Sequence, residues 1–155
     1  MSMLFSAAKV ASLDLKNRIV MSPMRTYSVQ KGDGVINPLH FAHYGARAVE
    51  QVGLVILEMT AVEPRGRTTE HDLGLWNDEQ GKELKRLVDF LHSLGTKVGI
   101  ELGHAGRKAK AEPVPVAPSL VEAYSDEYNE PSALSKPEIK RIQGAFVTAA
   151  KRAKQ

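Results

Sequence analysis

The sequence of 155 residues contains no cysteine. The chain therefore has no disulfide framework, no thiolate metal site and no thiol nucleophile. It also lacks any apolar run that approaches the ~20 residues of a membrane-spanning helix. The amino-terminal segment MSMLFSAAKV has no charged lead-in before an apolar run, as a secretory signal would have. Together these absences predict a cytoplasmic protein without a membrane partner.

The chain has little excess charge of either sign. Its formal net charge is +3, and the basic residues are scattered rather than gathered into a stripe. Because phosphate binding needs a concentrated basic patch, we predict no nucleic-acid partner. The apolar fraction of 43% and the charged fraction of 25% are ordinary for a globular protein. The length predicts a single domain over residues 1–155.

Three apolar segments predict buried β-strands, over residues 19–24, 54–60 and 97–103. The near-continuous leucine and β-branched content, clearest in 54–60, is typical of a strand covered on both faces. Helical patterns separate the three segments, so the predicted order is βαβαβα. Strands that lie one crossover helix apart run parallel, with right-handed connections.

Each predicted helix begins at a capping signal. Asn37 is the predicted N-cap of the first helix, with Pro38 in the first helical position, and Asn77 begins the second helix. The third helix follows a long proline-rich stretch and opens with a capping box, in which Glu138 reaches back to Ser135.

Three βα units fit either a doubly wound sheet or an eight-unit barrel. The first strand is not followed by the glycine-rich fingerprint of a dinucleotide fold. Each strand instead ends in a substantial loop, and the active sites of barrels are built from such loops. We therefore predict an α/β protein that forms the amino-terminal part, about three βα units, of a (β/α)8 TIM barrel.

The last residue, Gln155, lies in a helical pattern before any fourth strand. Three strands cannot close a barrel, and the open sheet would leave unpaired edges. We expect either one piece of a longer polypeptide or a truncated product that is inactive alone. The expected partners are the remainder of the same polypeptide or further copies of the chain.

The loop after the first strand is one candidate site. Ser22 and Pro23 give way to the soft side chain of Met24, the charge of Arg25 and the phenol of Tyr27. A buried strand that aims its carboxyl end at a ligand has this layout. The alternative is a strand end that simply turns at the proline.

The loop after the third strand is the second candidate. Residues 104–108 gather a histidine, an arginine and Lys108 around Gly106, which lets the backbone approach a ligand. The alternative is a solvated basic turn. Glu101 lies in the preceding apolar strand, where a buried carboxylate without a donor is costly. It either points into the barrel near a ligand or is capped locally.

Two histidines on the first helix have a spacing that metal ligands use. His40 and His43 lie three residues apart, but no carboxylate is placed beside them in the sequence. We therefore favour structural roles and predict no metal site. A metal-dependent barrel hydrolase that uses both histidines with Glu58 is the weaker alternative.

Several motifs in order resemble the Old Yellow Enzyme family of FMN-dependent ene-reductases, in particular its bacterial NADPH dehydrogenase branch. The motifs are LKNRIVMSPM with Tyr27, PLHFAHYGARA, QVGLVILEMTAV, GRTTEHDLGLWND, KVGIELGHAGRKA and VAPS. The resemblance covers the whole chain. It implies a barrel with FMN across the carboxyl ends of its strands. Hydride would pass from NAD(P)H through FMN to a small α,β-unsaturated substrate.

The resemblance also assigns roles to individual residues. It implies a cofactor-binding set of Ser22, Pro23, Met24, Arg25, Met59 and Glu101. Tyr27 and Lys108 would border the substrate pocket. The family's substrate-anchoring histidine pair and proton-donating tyrosine follow the fourth strand, which this sequence does not reach. A non-catalytic half-barrel with at most residual flavin binding is therefore the alternative function.

Two positions depart from the family branch. Arg25 stands where that branch commonly has a cysteine, and Glu101 stands where many relatives have glutamine. A cation near the flavin would favour its anionic reduced form. A carboxylate can accept the ring N–H but would repel the carbonyl oxygens. We therefore expect the flavin to be tuned differently in this protein.

Overall fold

A computed structural model describes residues 2–155, and a parallel sheet lies at its centre. The strands are β1 (Ala8–Val10), β2 (Leu13–Leu15), β3 (Val20–Met21), β4 (Leu54–Ala61), β5 (Leu73–Gly74), β6 (Lys97–Gly103), β7 (Val116–Ala117) and β8 (Ser132–Ala133). The helices are α1 (Pro38–Val49), α2 (Asp78–Ser93) and α3 (Lys136–Ala153). Strand β4 lies between β3 and β6 and pairs with both in parallel, while β1 and β2 form an antiparallel hairpin.

All three helices pack on the same face of the sheet. Tyr44 of α1, Leu87 of α2 and Ala149 of α3 share one apolar core with Leu57 of β4 and Ile100 of β6. A doubly wound sheet carries helices on both faces, whereas a barrel keeps them outside. The predicted partial barrel is therefore confirmed, and within residues 2–155 the sheet does not close.

The helices begin where the capping signals predict. Asn37, Asn77 and Ser135 are the N-caps, and each takes part in a capping box. In α1 the returning side chain of that box is His40, so this histidine has a local structural role. None of the helices described over residues 2–155 combines the length and apolar character that crossing a bilayer requires.

The first strand is shorter than predicted. The prediction over 19–24 is wrong at Ile19 and beyond Met21, because β3 pairs only with the first two residues of β4. Pro23 has no N–H to donate to a ladder. Strand β6 pairs with β4 along one side. The short strand β5 therefore pairs with the end of β4 on the other side, beyond the residues that pair with β3. The other two strands match, apart from one added residue at Ala61.

The proline-rich stretch before α3 contains a small parallel pair that the sequence pattern did not indicate. Strands β7 and β8 bring its two ends together. The N–H of Ser132 donates to the carbonyl of Pro115, and the N–H of Leu134 donates to that of Ala117, each at 2.9 Å. The stretch is thus a closed loop that returns to its starting point.

Candidate functional site

The parallel pairing places the carboxyl ends of β3, β4 and β6 along one side of the sheet, which we call the carboxyl edge. The residues expected to bind cofactor lie at or just beyond it. Ser22, Pro23, Met24 and Arg25 follow β3, Met59 lies near the end of β4, and Glu101 lies near the end of β6.

Met59 and Glu101 lie on the sheet face that the helices leave uncovered. A Cβ atom at Gly103 would stand 2.5 Å from Cγ of Met59, so this side chain lies directly on the glycine. Glu101 is two residues from Gly103 and faces the same way, because strand side chains alternate. Met59 is only 5% exposed, whereas Glu101 is exposed and bonds to no other described residue. Glu101 therefore presents a free carboxylate rather than a locally capped one.

Met24 and Arg25 line a cleft of about 580 Å³ between the loop after β3 and helix α1. Met24 is 54% exposed there. Nη1 of Arg25 donates to Oγ1 of Thr68 at 2.6 Å, which ties this side chain to the segment after β4. Met59 and Glu101 do not line the cleft. The expected cofactor residues therefore form two groups along the carboxyl edge.

Tyr27 has a strained backbone at this edge. Its φ of +51° lies in the left-handed region, which residues other than glycine seldom adopt. Bonds hold the chain on both sides of it. The N–H of Thr26 donates to Oε2 of Glu58 at 2.8 Å, and Nδ2 of Asn37 donates to the carbonyl of Ser28 at 2.5 Å. Such strain persists where neighbours over-determine the backbone, and it clusters at functional sites.

The buried carboxylate of Glu58 anchors this loop. Its Oε1 accepts hydrogen bonds from Oγ1 of Thr26 at 2.9 Å and from the hydroxyl of Tyr44 at 3.0 Å. The same hydroxyl accepts the backbone N–H of Glu58 at 2.9 Å. Burial, followed by the charge of Glu58, raises the pKa of Tyr44 well above its ordinary range. Burial lowers the pKa of His40, although the nearby Glu58 opposes this shift. The carboxylate thus joins β4, α1 and the loop after β3.

Two of the three side chains in the alternative metal site, His40 and Glu58, contact other protein groups. Nε2 of His40 lies 3.4 Å from Oγ1 of Thr26, and Glu58 is bonded to protein donors. Nε2 of His43 is buried without a partner in residues 2–155. Within the same residues, no three side chains of histidine, cysteine, aspartate or glutamate are grouped to hold a metal ion.

A second buried carboxylate lies just beyond β4. Glu63 accepts a hydrogen bond from Nε2 of His104 at 3.0 Å. It also forms a close ion pair with Nη1 of Arg141 on α3. We call these three side chains the Glu63 cluster. Burial alone would raise the pKa of Glu63, but the hydrogen bonds from Arg141 and His104 outweigh it and hold the pKa below its ordinary value. No sequence pattern indicates this cluster, because its members are far apart in the chain.

The cationic loop after β6 is folded against an aromatic ring. A short 3-10 turn over Gly106–Lys108 presents Arg107 and Lys108. Nζ of Lys108 lies 3.9 Å from the ring centroid of Tyr124, and Cζ of Arg107 lies 5.4 Å from it. Lys108 lowers the pKa of the Tyr124 phenol by hydrogen bonding and by its charge. Both cations therefore contact the proline-rich loop and are not simply solvated.

We predict that Glu58→Gln destabilises the fold by about 1–3 kcal/mol. The Glu58 carboxylate accepts hydrogen bonds from three donors. In glutamine an NH2 group replaces one of the two acceptor oxygens, and this donor would face another donor. Chemical denaturation measures the change. The matched control is Glu101→Gln at the exposed position, which should leave the free energy of unfolding unchanged. Equal effects of the two substitutions would contradict the anchoring role of Glu58.

Glu63 also predicts a pH dependence of stability. Its pKa in the folded protein is below the ordinary 4.5, so its stabilising contribution is complete above that pH and disappears as the pH falls through the folded-state pKa. Arg141, Arg65 and His104 are the charged or titratable groups that face it. The deficit in unfolding free energy of Glu63→Gln should therefore shrink below pH 4.5. A deficit that is constant with pH would contradict this assignment.

The sequence matches a known protein family over almost its whole length. Residues 3–155 match the model of the NADH:flavin oxidoreductase / NADH oxidase family. NADPH dehydrogenase from Listeria welshimeri is 55% identical over 155 residues, which are 100% of this chain and 46% of the relative. NADPH dehydrogenase from Bacillus subtilis is 44% identical over 152 residues, 98% of this chain and 45% of the relative. The chain thus spans about half the length of the curated relatives it matches.

Solved structures give the same result. Morphinone reductase in complex with tetrahydroNAD superposes with a TM-score of 0.87 at 30% identity, over 99% of this chain and 47% of that protein. Old Yellow Enzyme from Pichia sp. superposes with a TM-score of 0.88 at 28% identity, over 97% and 42%. The resemblance inferred from the motifs is therefore confirmed. The chain belongs to the NADH:flavin oxidoreductase / NADH oxidase family.

Proposed function

We propose that this chain contributes the amino-terminal share of the flavin site in an FMN-dependent NAD(P)H oxidoreductase that reduces electron-poor C=C bonds. The observation that carries the proposal is the carboxyl edge, which presents the exposed side chain of Met24 and the free carboxylate of Glu101 in a member of a flavin oxidoreductase family. The names of its relatives, NADPH dehydrogenase and morphinone reductase, support a nicotinamide co-substrate. A cytoplasmic location stays a prediction.

The residues of the carboxyl edge fit FMN. The backbone N–H groups of Met24 and Arg25 donate to no other described residue, so they are available to carbonyl oxygens of a planar ring. The exposed side chain of Met24 offers apolar contact to such a ring. The free carboxylate of Glu101 can accept a ring N–H. Ser22, Pro23 and Met59 complete the set that would hold the cofactor.

The substrate would lie beside Tyr27 and Lys108. When bound, FMN would supply the redox chemistry that links oxidation of NAD(P)H to reduction of the alkene. The phenol of Tyr27 is 49% exposed at the edge, where it would be accessible to a substrate. The ammonium of Lys108 offers a hydrogen-bond donor to a substrate carbonyl or a nicotinamide phosphate.

Arg25 and Glu101 would give this flavin site an unusual charge pattern. The guanidinium of Arg25 is held by Thr68, and it would favour the anionic reduced cofactor. The carboxylate of Glu101 would act in the opposite direction near the carbonyl oxygens. We infer that the two side chains partly compensate each other's influence on the reduction potential.

A second proposal concerns the 155 residues on their own. Among the described strands, β3 and β6 pair only with β4, and the uncovered sheet face leaves Glu101 exposed. We infer that these residues alone bind FMN weakly at most and do not turn over substrate. Their open sheet edges would favour association with further polypeptide or with copies of the chain.

Flavin content and alkene-dependent NAD(P)H oxidation test the proposed function. A complete barrel that contains these 155 residues is called the intact protein here. It should be yellow and should oxidise NAD(P)H anaerobically only when an α,β-unsaturated ketone is present. The isolated 155 residues should show neither property. A colourless intact protein that gains no visible absorption on titration with FMN would contradict the proposal.

Lys108→Ala should raise the KM for the alkene or the nicotinamide by roughly tenfold, as expected for loss of a hydrogen bond to a charged group. Flavin content should not change. The matched control is Lys110→Ala, because Lys110 lies in the same segment and contacts Tyr128 and Glu127 instead. If both variants shift KM equally, the effect comes from the net charge of the loop and Lys108 does not border the substrate.

A further inference from the structure

The Glu63 cluster has no part in the proposed chemistry, yet it reaches the segment that carries Lys108. Its carboxylate comes from the end of β4, its imidazole from the end of β6 and its guanidinium from α3. The side chains of Glu63 and His104 are both buried. A buried carboxylate needs such partners, since an unpaired one would be costly.

The hydrogen bonds of His104 define its tautomer. The backbone N–H of Gly106 donates to Nδ1 at 3.0 Å, so Nδ1 carries no proton. The proton of the neutral ring is therefore on Nε2, which donates to Oε1 of Glu63 at 3.0 Å. The carboxylate selects the tautomer whose other nitrogen can accept from Gly106.

Gly106 is the first residue of the 3-10 turn that presents Lys108. Its φ of +57° requires the left-handed region that glycine adopts freely. The turn closes through a bond from the N–H of Lys108 to the carbonyl of Ala105 at 3.1 Å. The direction in which Lys108 leaves the backbone therefore depends on where the imidazole holds Gly106.

The segment after β4 is shaped to receive this imidazole. A Cβ atom at Gly66 would stand 2.9 Å from Cδ2 of His104, so only glycine leaves room for the ring. The carbonyl of Gly66 also accepts the N–H of Ala105 at 2.8 Å. The contacts on the ring and on the backbone thus join the segments that follow β4 and β6.

We propose that Glu63 is a positioning residue that acts through Nε2–H of His104 to hold the Gly106–Lys108 turn, and so sets the point at the carboxyl edge from which the Lys108 side chain extends. Arg141 keeps the carboxylate charged and aligned, which makes the position of α3 part of the same device. The role of Lys108 at the substrate rests on the proposed function. The hydrogen-bond relay itself does not.

The relay is tested first on the unmodified intact protein. Nitrogen-15 NMR of histidine-labelled protein near neutral pH should report the Nε2–H tautomer for His104. The Nδ1–H tautomer, or an equal mixture of the two, would overturn the proposal. This measurement requires no substitution and no cofactor.

Three variants then test the consequence for the turn. Glu63→Ala should speed hydrogen exchange at the amides of Gly106 and Lys108 about tenfold, the factor for loss of one hydrogen bond of ordinary strength. Glu63→Gln keeps an acceptor oxygen for Nε2–H and should restore exchange to within about twofold. Arg65→Ala is the matched control, because Arg65 approaches the same carboxylate without touching His104, and it should leave both amides unchanged.

Steady-state kinetics of the intact, FMN-loaded protein complete the test. Glu63→Ala should raise the substrate KM about as much as Lys108→Ala does, with flavin content and kcat little changed, and Glu63→Gln should rescue it. Unchanged exchange and KM in Glu63→Ala would overturn the positioning role. If the protein shows no flavin-dependent activity, the proposed function fails while the tautomer and exchange results still decide the relay.

Discussion

A carboxylate buried within the protein is stable only when enough hydrogen-bond donors converge on it. Glu58 of β4 meets this condition through the backbone N–H and hydroxyl of Thr26 and through the hydroxyl of Tyr44. The donors come from the loop after β3 and from α1. Movement of either element would therefore expose the Glu58 carboxylate or leave it without a hydrogen-bond donor. The course of the loop that carries Met24 and Tyr27 follows from this constraint.

Strand β4 supplies a comparable constraint on its other side. Glu63 follows the same strand and holds the loop after β6 through His104, while Arg141 brings α3 to the same carboxylate. The central strand thus holds both flanking loops through two buried acids, Glu58 within β4 and Glu63 just beyond it. Loops that bind ligands are usually the least constrained parts of a barrel. Here the two loops expected to contact cofactor and substrate are both tied to the middle of the sheet.

The parts of the fold that could be predicted are those with local signals. Helix starts depend on residues within one turn, so Asn37, Asn77 and Ser135 identified them. The strand over 97–103 was predicted at its full length, because its apolar run ends at a glycine and the segments on both sides have distinct sequence patterns. The βαβαβα order then required a parallel sheet.

The rest depends on contacts between distant residues. The length of the first strand depends on β5 taking its place beside β4, and no feature of residues 19–24 except the proline indicates this. Glu63 and Arg141 lie 78 residues apart, and charged residues at such a separation have no sequence signature. The site residues that the family resemblance implies lie on strands or loops at the carboxyl edge, where they form two groups. Their roles stay predictions, and no sequence pattern indicated that Glu58 and Glu63 hold these loops.

We infer above all that the carboxyl edge is the flavin-binding face. Titration of the intact, flavin-free protein with FMN, followed by amide chemical shifts, tests it most directly. We expect chemical-shift changes at the amides of Met24, Arg25 and Glu101 and of their neighbours. The amides of the β1–β2 hairpin should be unaffected. Shifts centred on that hairpin, with the amides of the carboxyl edge unchanged, would contradict it.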